Sequence, residues 1–485
     1  MAYRETEEAG KQVKKQRPAR FSRRCFCTGF LIIFIFVGII SLMVVIPVVQ
    51  HVRQSLAANN GVLVRDPKSA GGPNLGPVTP KKKLVLIDPD TPSDVKFITS
   101  YLRKEEWELV YSDEFNEEGR KFHPGDDPAW EAMDFWYEAT GDEEYYDPDY
   151  IITKDGNLVI KVEDIPNGKL KYTSGMLQSW NKVCFTGGRI EVRVSLPGDP
   201  RVSGFWPGAW LLGNLGRAGF KSTTDGLWPY SYDACDSGVQ ANQSLTNNLS
   251  HLPGQRLNKC VCPGEDHPNP GTGRGAPEID LIEALANHAG GEVSQSYQIA
   301  PFDADRKVRP KYQIYNSATT SINSYTGSEL QQAVSALTKL PTTIYEGRNY
   351  ATFAVEYQPG TDGYITWFVD DKPTWTLDAD ALDANKASKV SRRLIPEEPM
   401  YMIFNLAMSS KFSPISENLK FPNHYLIDHV RIYQHPDRKS VTCDPEDYPT
   451  SNYIDTHRKA YYGKNWTNWE LAGYSAPKYS IDNKC

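Results

Sequence analysis

Residues 188–198, GRIEVRVSLPG, place Ile190, Val192, Val194 and Leu196 on one face and Glu191, Arg193 and Ser195 on the other. Side chains alternate across a strand with period two, so one face belongs to a core and the other is wet or lines a cleft. Similar runs recur at 158–162, 350–357, 364–369, 400–406 and 429–433. Between two of them, Pro359-Gly360-Thr361-Asp362-Gly363 has the chemistry of a hairpin turn. With 36 Gly and 34 Pro punctuating 485 residues, a mainly helical chain is disfavoured. Many short strands then pack as two antiparallel sheets in one large all-β domain with appendages.

The N-terminus reads differently. Residues 25–50 carry no charge, and their centre, FLIIFIFVGIISLMVVIPVV, begins at Phe30. At about 1.5 Å per residue its twenty residues match a bilayer's hydrocarbon core of about 30 Å. The run exceeds the 7–15 apolar residues usual in a cleaved signal, so an uncleaved anchor is expected. Residues 1–24 contribute +5 to a net charge of −7, and the other 461 carry −12. The basic flank places the N-terminus in the cytosol and the rest on the lumenal side. The acidic bulk disfavours a nucleic-acid partner.

Beyond the membrane lie Cys184, Cys235, Cys260, Cys262, Cys443 and Cys485, an even set that reads as disulfides in an oxidising compartment. Spacing leaves their connectivity open, although Cys260 and Cys262 are too close to pair with each other. No second paired motif supports zinc at Cys260 and Cys262, and no metal site is expected. Sequons at Asn242, Asn248 and Asn465 all fall on the lumenal side. The expected organisation is a cytosolic basic tail (1–24), a signal anchor (25–50), a Pro/Gly-rich lumenal stalk (51–104) and a strand-rich domain (105–436). A Cys-rich surface insertion (222–275) interrupts that domain, and a Cys-containing extension (437–485) follows it, stapled back through Cys485.

The chemistry concentrates in Glu278-Ile279-Asp280-Leu281-Ile282-Glu283. On a regular strand Glu283 would point away from Glu278 and Asp280. One extra residue near Leu281 and Ile282, a β-bulge, returns it to their face. Two carboxyl groups about 5–5.5 Å apart suit a retaining glycosidase, whereas an inverting one needs about 6.5–9.5 Å. An edge strand with a charged face, or an acidic first helical turn, would use the same residues structurally. Trp180, Trp206, Trp210 and Trp228, in the strand-and-turn segments before the motif, are candidates for stacking on sugar rings; each also suits a core.

The motif EIDLIEA resembles the E-x-D-x-x-E strand of glycoside hydrolase family 16, and GRIEVRVSLPG followed by FWPGAWLLGNLG resembles the strand pair before it. More narrowly, LVYSDEFNEEGRKFHPGDDPAWEA, LPGQRLNKCVCPGEDHPNPG and the closing YGKNWTNWELAGYSAPKYSIDNKC resemble the fungal transmembrane proteins associated with β-1,6-glucan synthesis. The resemblance covers nearly everything from residue 100 to 485. It implies a concanavalin A-like β-jelly-roll sandwich and retaining chemistry on β-glucan chains, with Glu278 as nucleophile, Glu283 as acid and base, and Asp280 tuning Glu278. No cofactor is implied; family 16 folds sometimes hold a structural calcium, and no residue here locates one. The implied setting is a single-pass type II protein of the endoplasmic reticulum, Golgi or plasma membrane, held in the bilayer by one helix and taking part in wall organisation. The sequence identifies no partner protein and does not choose between hydrolysis and transglycosylation. The second reading is a non-catalytic glucan-binding or scaffold protein.

Overall fold

The computed structural model describes residues 76–239, 250–480 and 485. The expected anchor, Asn242 and Asn248 lie outside the described residues, while Asn465 is exposed. Among the described residues no helix is long and apolar enough to cross a membrane.

The fold is all-β and jelly-roll-like, with a ten-stranded and a nine-stranded antiparallel sheet and a two-stranded parallel ribbon. Each apolar run anticipated above is a strand. Gly188–Ser195 sits inside the larger sheet between Ala351–Gln358 and Asn423–Gln434. Its Ile190, Val192 and Val194 are buried, as is Leu196 just beyond it. They meet Ile279, Ile282 and Ala284 of the smaller sheet in one continuous core, the expected two-layer solution for half-apolar sheets. The hairpin closes with Gln358 opposite Tyr364, and Gly360 takes a φ of +96° that an ordinary side chain would resist.

Two expectations are corrected. The polar face of Gly188–Ser195 is wet only at Arg193, because Arg189 and Glu191 are buried and paired at 3.6 Å. Nearby, buried Glu114 takes both ends of the Arg431 guanidinium at 2.9 and 2.8 Å. Much of the predicted stalk is also folded. Phe97–Thr99 pairs antiparallel with the Glu106–Asp113 strand, Leu84 packs on the main core, and the Tyr101 N–H donates to Glu356 Oε2 at 2.6 Å. Glu356 is fully buried, and a buried carboxylate needs donors, so residues 76–104 form a strap that satisfies the outer face of the larger sheet.

The six cysteines pair as Cys184–Cys443, Cys235–Cys260 and Cys262–Cys485. Both thiols of the discounted zinc motif are thereby consumed. The extension is stapled at two points rather than through Cys485 alone. Its short helices, Ser451–Thr456 and Arg458–Tyr462, bring Tyr453, Ile454, Ala460 and Tyr461 into a second buried cluster with Leu212, Tyr401 and Ile403. Those three belong to the face of the smaller sheet turned away from the main core, so the extension covers part of that face.

Candidate active site

The acidic strand, Glu278–Asn287, runs between Trp206–Gly213 and Gly290–Ile299. Against the first neighbour, Leu212 faces Glu278, Trp210 faces Asp280 and Gly208 faces Glu283; against the second, Asp280 faces Ser296 and Glu283 faces Ser294. Between Asp280 and Glu283 two residues, Leu281 and Ile282, therefore stand against one on each partner, the bulge anticipated from spacing. Ile279, Leu281, Ile282 and Ala284 all reach the core, leaving Glu278, Asp280 and Glu283 on the opposite face. The bulge frees backbone carbonyls, and side chains capture them. The Trp367 indole N–H, from the other sheet, donates to Asp280 O at 2.9 Å, and Gln295 Nε2 reaches Leu281 O at 3.4 Å. Trp367 is itself locked flat against Trp375, with ring centroids 4.3 Å apart.

Each carboxyl group keeps different company. Glu278 accepts the Trp228 indole N–H at 2.7 Å, and Asp280 accepts Gln298 Nε2 at 2.9 Å. Ser296 Oγ lies 3.5 Å from Glu283 Oε2, within a trio of mutually hydrogen-bonded hydroxyls from Ser294, Ser296 and Ser335. Burial pushes Asp280 up to about 7, opposed by Gln298. Burial also raises Glu278 and Glu283, reinforced in each by the charge of Asp280. Trp228 opposes the rise at Glu278; Ser294, Ser296 and Trp206 oppose it at Glu283. Three mutually repelling acids in a desolvated group do not ionise together, so the cluster retains a proton at neutral pH.

The four tryptophans separate. Trp206, half-buried, stacks on Phe412 with centroids 4.0 Å apart, and half-buried Trp210 donates to Asn405 Oδ1 at 2.9 Å. Trp228 is the one bonded to Glu278. Trp180 is corrected as a sugar platform: it is 6% exposed, with Tyr461 stacked at 5.8 Å and the Arg217 guanidinium 4.2 Å from its ring centre. No face is left for a ligand.

Sequence reasoning passed over the residues beside Glu283. Gly208 lies in register with Glu283 on one side and Asn405 on the other. A Cβ at Gly208 would stand 2.6 Å from Asn405 Oδ1, so the bare backbone leaves room for that amide. Asn405 Nδ2 donates to the Tyr146 hydroxyl at 3.1 Å, which donates to Asp142 Oδ2 at 3.0 Å. Burial raises Asp142 to about 6 and lifts its neighbour Glu144 well above the usual range, helped by the Asp142 charge. One signal was legible: Asn405 is the lone strongly polar residue in MYMIFNLA. Among the described residues no group of three or more His, Cys, Asp or Glu side chains is arranged to hold a metal ion.

Known proteins resemble this chain at two levels. The catalytic domain of an endo-1,3-beta-glucanase (laminarinase) from Thermotoga petrophila aligns over 68% of this chain and 99% of that domain, at 21% identity and a TM-score of 0.42. The beta-glucan synthesis-associated protein KRE6 of Saccharomyces cerevisiae is 49% identical over 411 residues, covering 82% of this chain and 56% of that protein. SKN1 from the same yeast is 43% identical over 96% of this chain and 62% of its own length, so the chain spans little more than half of these curated relatives. The model of the beta-glucan synthesis-associated SKN1/KRE6/Sbg1 family matches residues 2–485. The chain belongs to that family.

Proposed function

We propose that this protein is a membrane-anchored retaining hydrolase or transglycosylase of β-glucan chains, serving β-1,6-glucan synthesis and wall organisation from the lumenal or extracellular side. The observation that supports this reading best is the bulge, which turns three carboxyl groups of one strand, Asp280 buried and Glu278 and Glu283 half-buried, to one face and gives each a different partner. A charged edge that merely resists aggregation has no use for desolvated acids in an interior strand.

In the first step Glu278 attacks the anomeric carbon. The glycosidic C–O bond breaks, and the Glu283 proton passes to the leaving oxygen, leaving a glycosyl ester on Glu278. Forming that ester removes the negative charge at Glu278. In the second step the Glu283 carboxylate takes a proton from water or a sugar hydroxyl, whose oxygen attacks the anomeric carbon and breaks the ester. The Asp280 charge favours the proton that Glu283 gives up in the first step, while at Glu278 the Trp228 N–H opposes the same push and favours the ionised nucleophile. The uncharged run at 25–50 supplies the anchor in this reading, and the acidic bulk beyond it suits a neutral polysaccharide better than a nucleic acid.

The test uses the full chain in detergent with β-1,3- and β-1,6-linked oligosaccharides. Shortened products report hydrolysis and lengthened ones transglycosylation. Glu278→Gln and Glu283→Gln should each cut turnover, the latter by about 10²–10⁴-fold, and should fail to restore β-1,6-glucan in a deficient fungal strain at unchanged abundance. Full rescue by both variants would leave the scaffold reading in its place.

A further inference from the structure

Trp228 reaches Glu278 from a turn that three separate parts of the chain grip. The turn follows the single helical turn Lys221–Thr224 and includes Gly226, whose φ of +67° and closeness to Arg256 (2.9 Å from a Cβ at 226 to the Arg256 Cβ) exclude a side chain. Ala276, two residues before Glu278, donates its N–H to Leu227 O at 2.9 Å. Arg256, from the Cys-rich insertion, donates its backbone N–H to Gly226 O at 2.8 Å and its Nε to Asp225 O at 3.0 Å. The third grip is the C-terminal extension: the Trp469 backbone N–H donates to Asp225 Oδ2 at 2.9 Å.

The extension also holds Arg256. Its guanidinium lies 3.6 Å from the centre of the Trp469 ring and donates Nη1–H to the Tyr453 hydroxyl at 2.6 Å. Arg256 is 5% exposed and Trp469 1%, so this cation–π contact is desolvated, the condition under which it is strongest. Further along the same segment, the Tyr461 hydroxyl donates to Leu215 O at 2.7 Å.

We infer that the C-terminal extension is a positioning element of the carboxylate site: Trp469 and Tyr453 fix Arg256 and Asp225, and these fix the turn that aims the Trp228 indole N–H at Glu278. The inference rests on the reading of Glu278 as the working carboxylate. Trp228 touches that carboxylate; Arg256, Asp225 and Trp469 act through it.

A cover that only adds apolar burial would change stability and leave the Glu278 proton alone. The discriminating measurement is therefore the titration of Glu278 in the full chain in detergent, followed by the infrared carboxyl band and assigned with Glu278→Gln. Asp280 and Glu283, the groups whose charge acts on Glu278, stay in place in every variant, as do Tyr137 and Tyr401, whose hydroxyls the Glu278 charge keeps protonated. Losing a hydrogen bond to the carboxylate disfavours its charged form. Trp228→Phe should raise the Glu278 titration by about one pH unit, and the acid limb of kcat/KM with it. Arg256→Gln should raise it similarly, and the double variant should go no further. Where Arg256→Gln does not fold, Asp225→Ala, which cuts the Trp469 link, should give the same shift. An unshifted titration in the Arg256 or Asp225 variant, or shifts that add in the double variant, overturns the inference. If the titrations move as expected but the parent protein turns over no glucan, the positioning stands and the catalytic reading falls.

Discussion

Glu278, Asp280 and Glu283 occur within six residues, and the neighbour each one keeps is what separates them chemically. The Trp228 donor favours the charged form of Glu278, whereas the hydroxyls around Glu283 can accept as well as donate and so tolerate either form. Asp280 is the least exposed of the three, and its charge lifts both neighbours. Asp280→Asn removes that repulsion, so Glu278 and Glu283 should both lose their protons at lower pH. The basic limb of the kcat/KM profile, set by deprotonation of the acid Glu283, should then move down by about one pH unit. A basic limb that stays in place would assign the controlling proton elsewhere. At this scale the sequence was informative where spacing was unusual: three acids reach one face only across a bulge. It was silent on Gln298, Ser296 and Gly208, because their part depends on cross-strand register, which no local pattern encodes.

The bulge itself belongs to the scale of the element. Alternating apolar residues made Gly188–Ser195, Ala351–Gln358, Met400–Ala407 and Asn423–Gln434 legible, since each needs one face in the core, whereas Glu106–Asp113, Gly290–Ile299 and Gln332–Lys339 went unread; the adjacent Leu281 and Ile282 of EIDLIE betrayed the irregular strand. What holds the bulge open was not legible. Trp367 lies in an apolar strand of the opposite sheet and reads as core, yet its indole N–H crosses the sandwich to the Asp280 carbonyl. Trp367→Phe keeps most of the ring's packing and deletes that donor. Stability should fall by about 1–3 kcal/mol for a buried carbonyl left unpaired. Turnover should fall further than the stability loss explains, with KM little changed, because the two flanking carboxyl groups lose their fixed relation. Thermal melts alongside steady-state kinetics check both; a melt that drops with normal kcat would make Trp367 a packing residue alone.

At the scale of the whole molecule, the extension after residue 437 was recognisable as an appended, cysteine-stapled piece. That it covers part of the carboxylate-bearing sheet face was not, since Tyr453, Tyr461 and Trp469 pattern like any core aromatics and six cysteines pair in fifteen ways. The pairing found makes a quantitative demand. A crosslink stabilises partly by removing loop entropy from the unfolded chain, increasing as about (3/2)RT ln n. Cys235–Cys260 closes 25 residues, whereas Cys184–Cys443 spans 259. With Cys235–Cys260 and Cys262–Cys485 still closed, the loop that Cys184–Cys443 adds shrinks to about 95 residues, because the unfolded chain can run through both other bridges. The expected advantage of Cys184–Cys443 over Cys235–Cys260 is then roughly 1.2 kcal/mol rather than the roughly 2 kcal/mol of isolated loops. Cys443→Ala and Cys235→Ala open the two bridges at positions that are not themselves buried, so cavity costs stay small. Urea unfolding of the two variants should rank Cys443→Ala as the less stable by about that margin. Equal losses, or the reverse order, would mean that the aromatic packing of Tyr453, Tyr461 and Trp469, rather than chain closure, keeps the extension on the sheet.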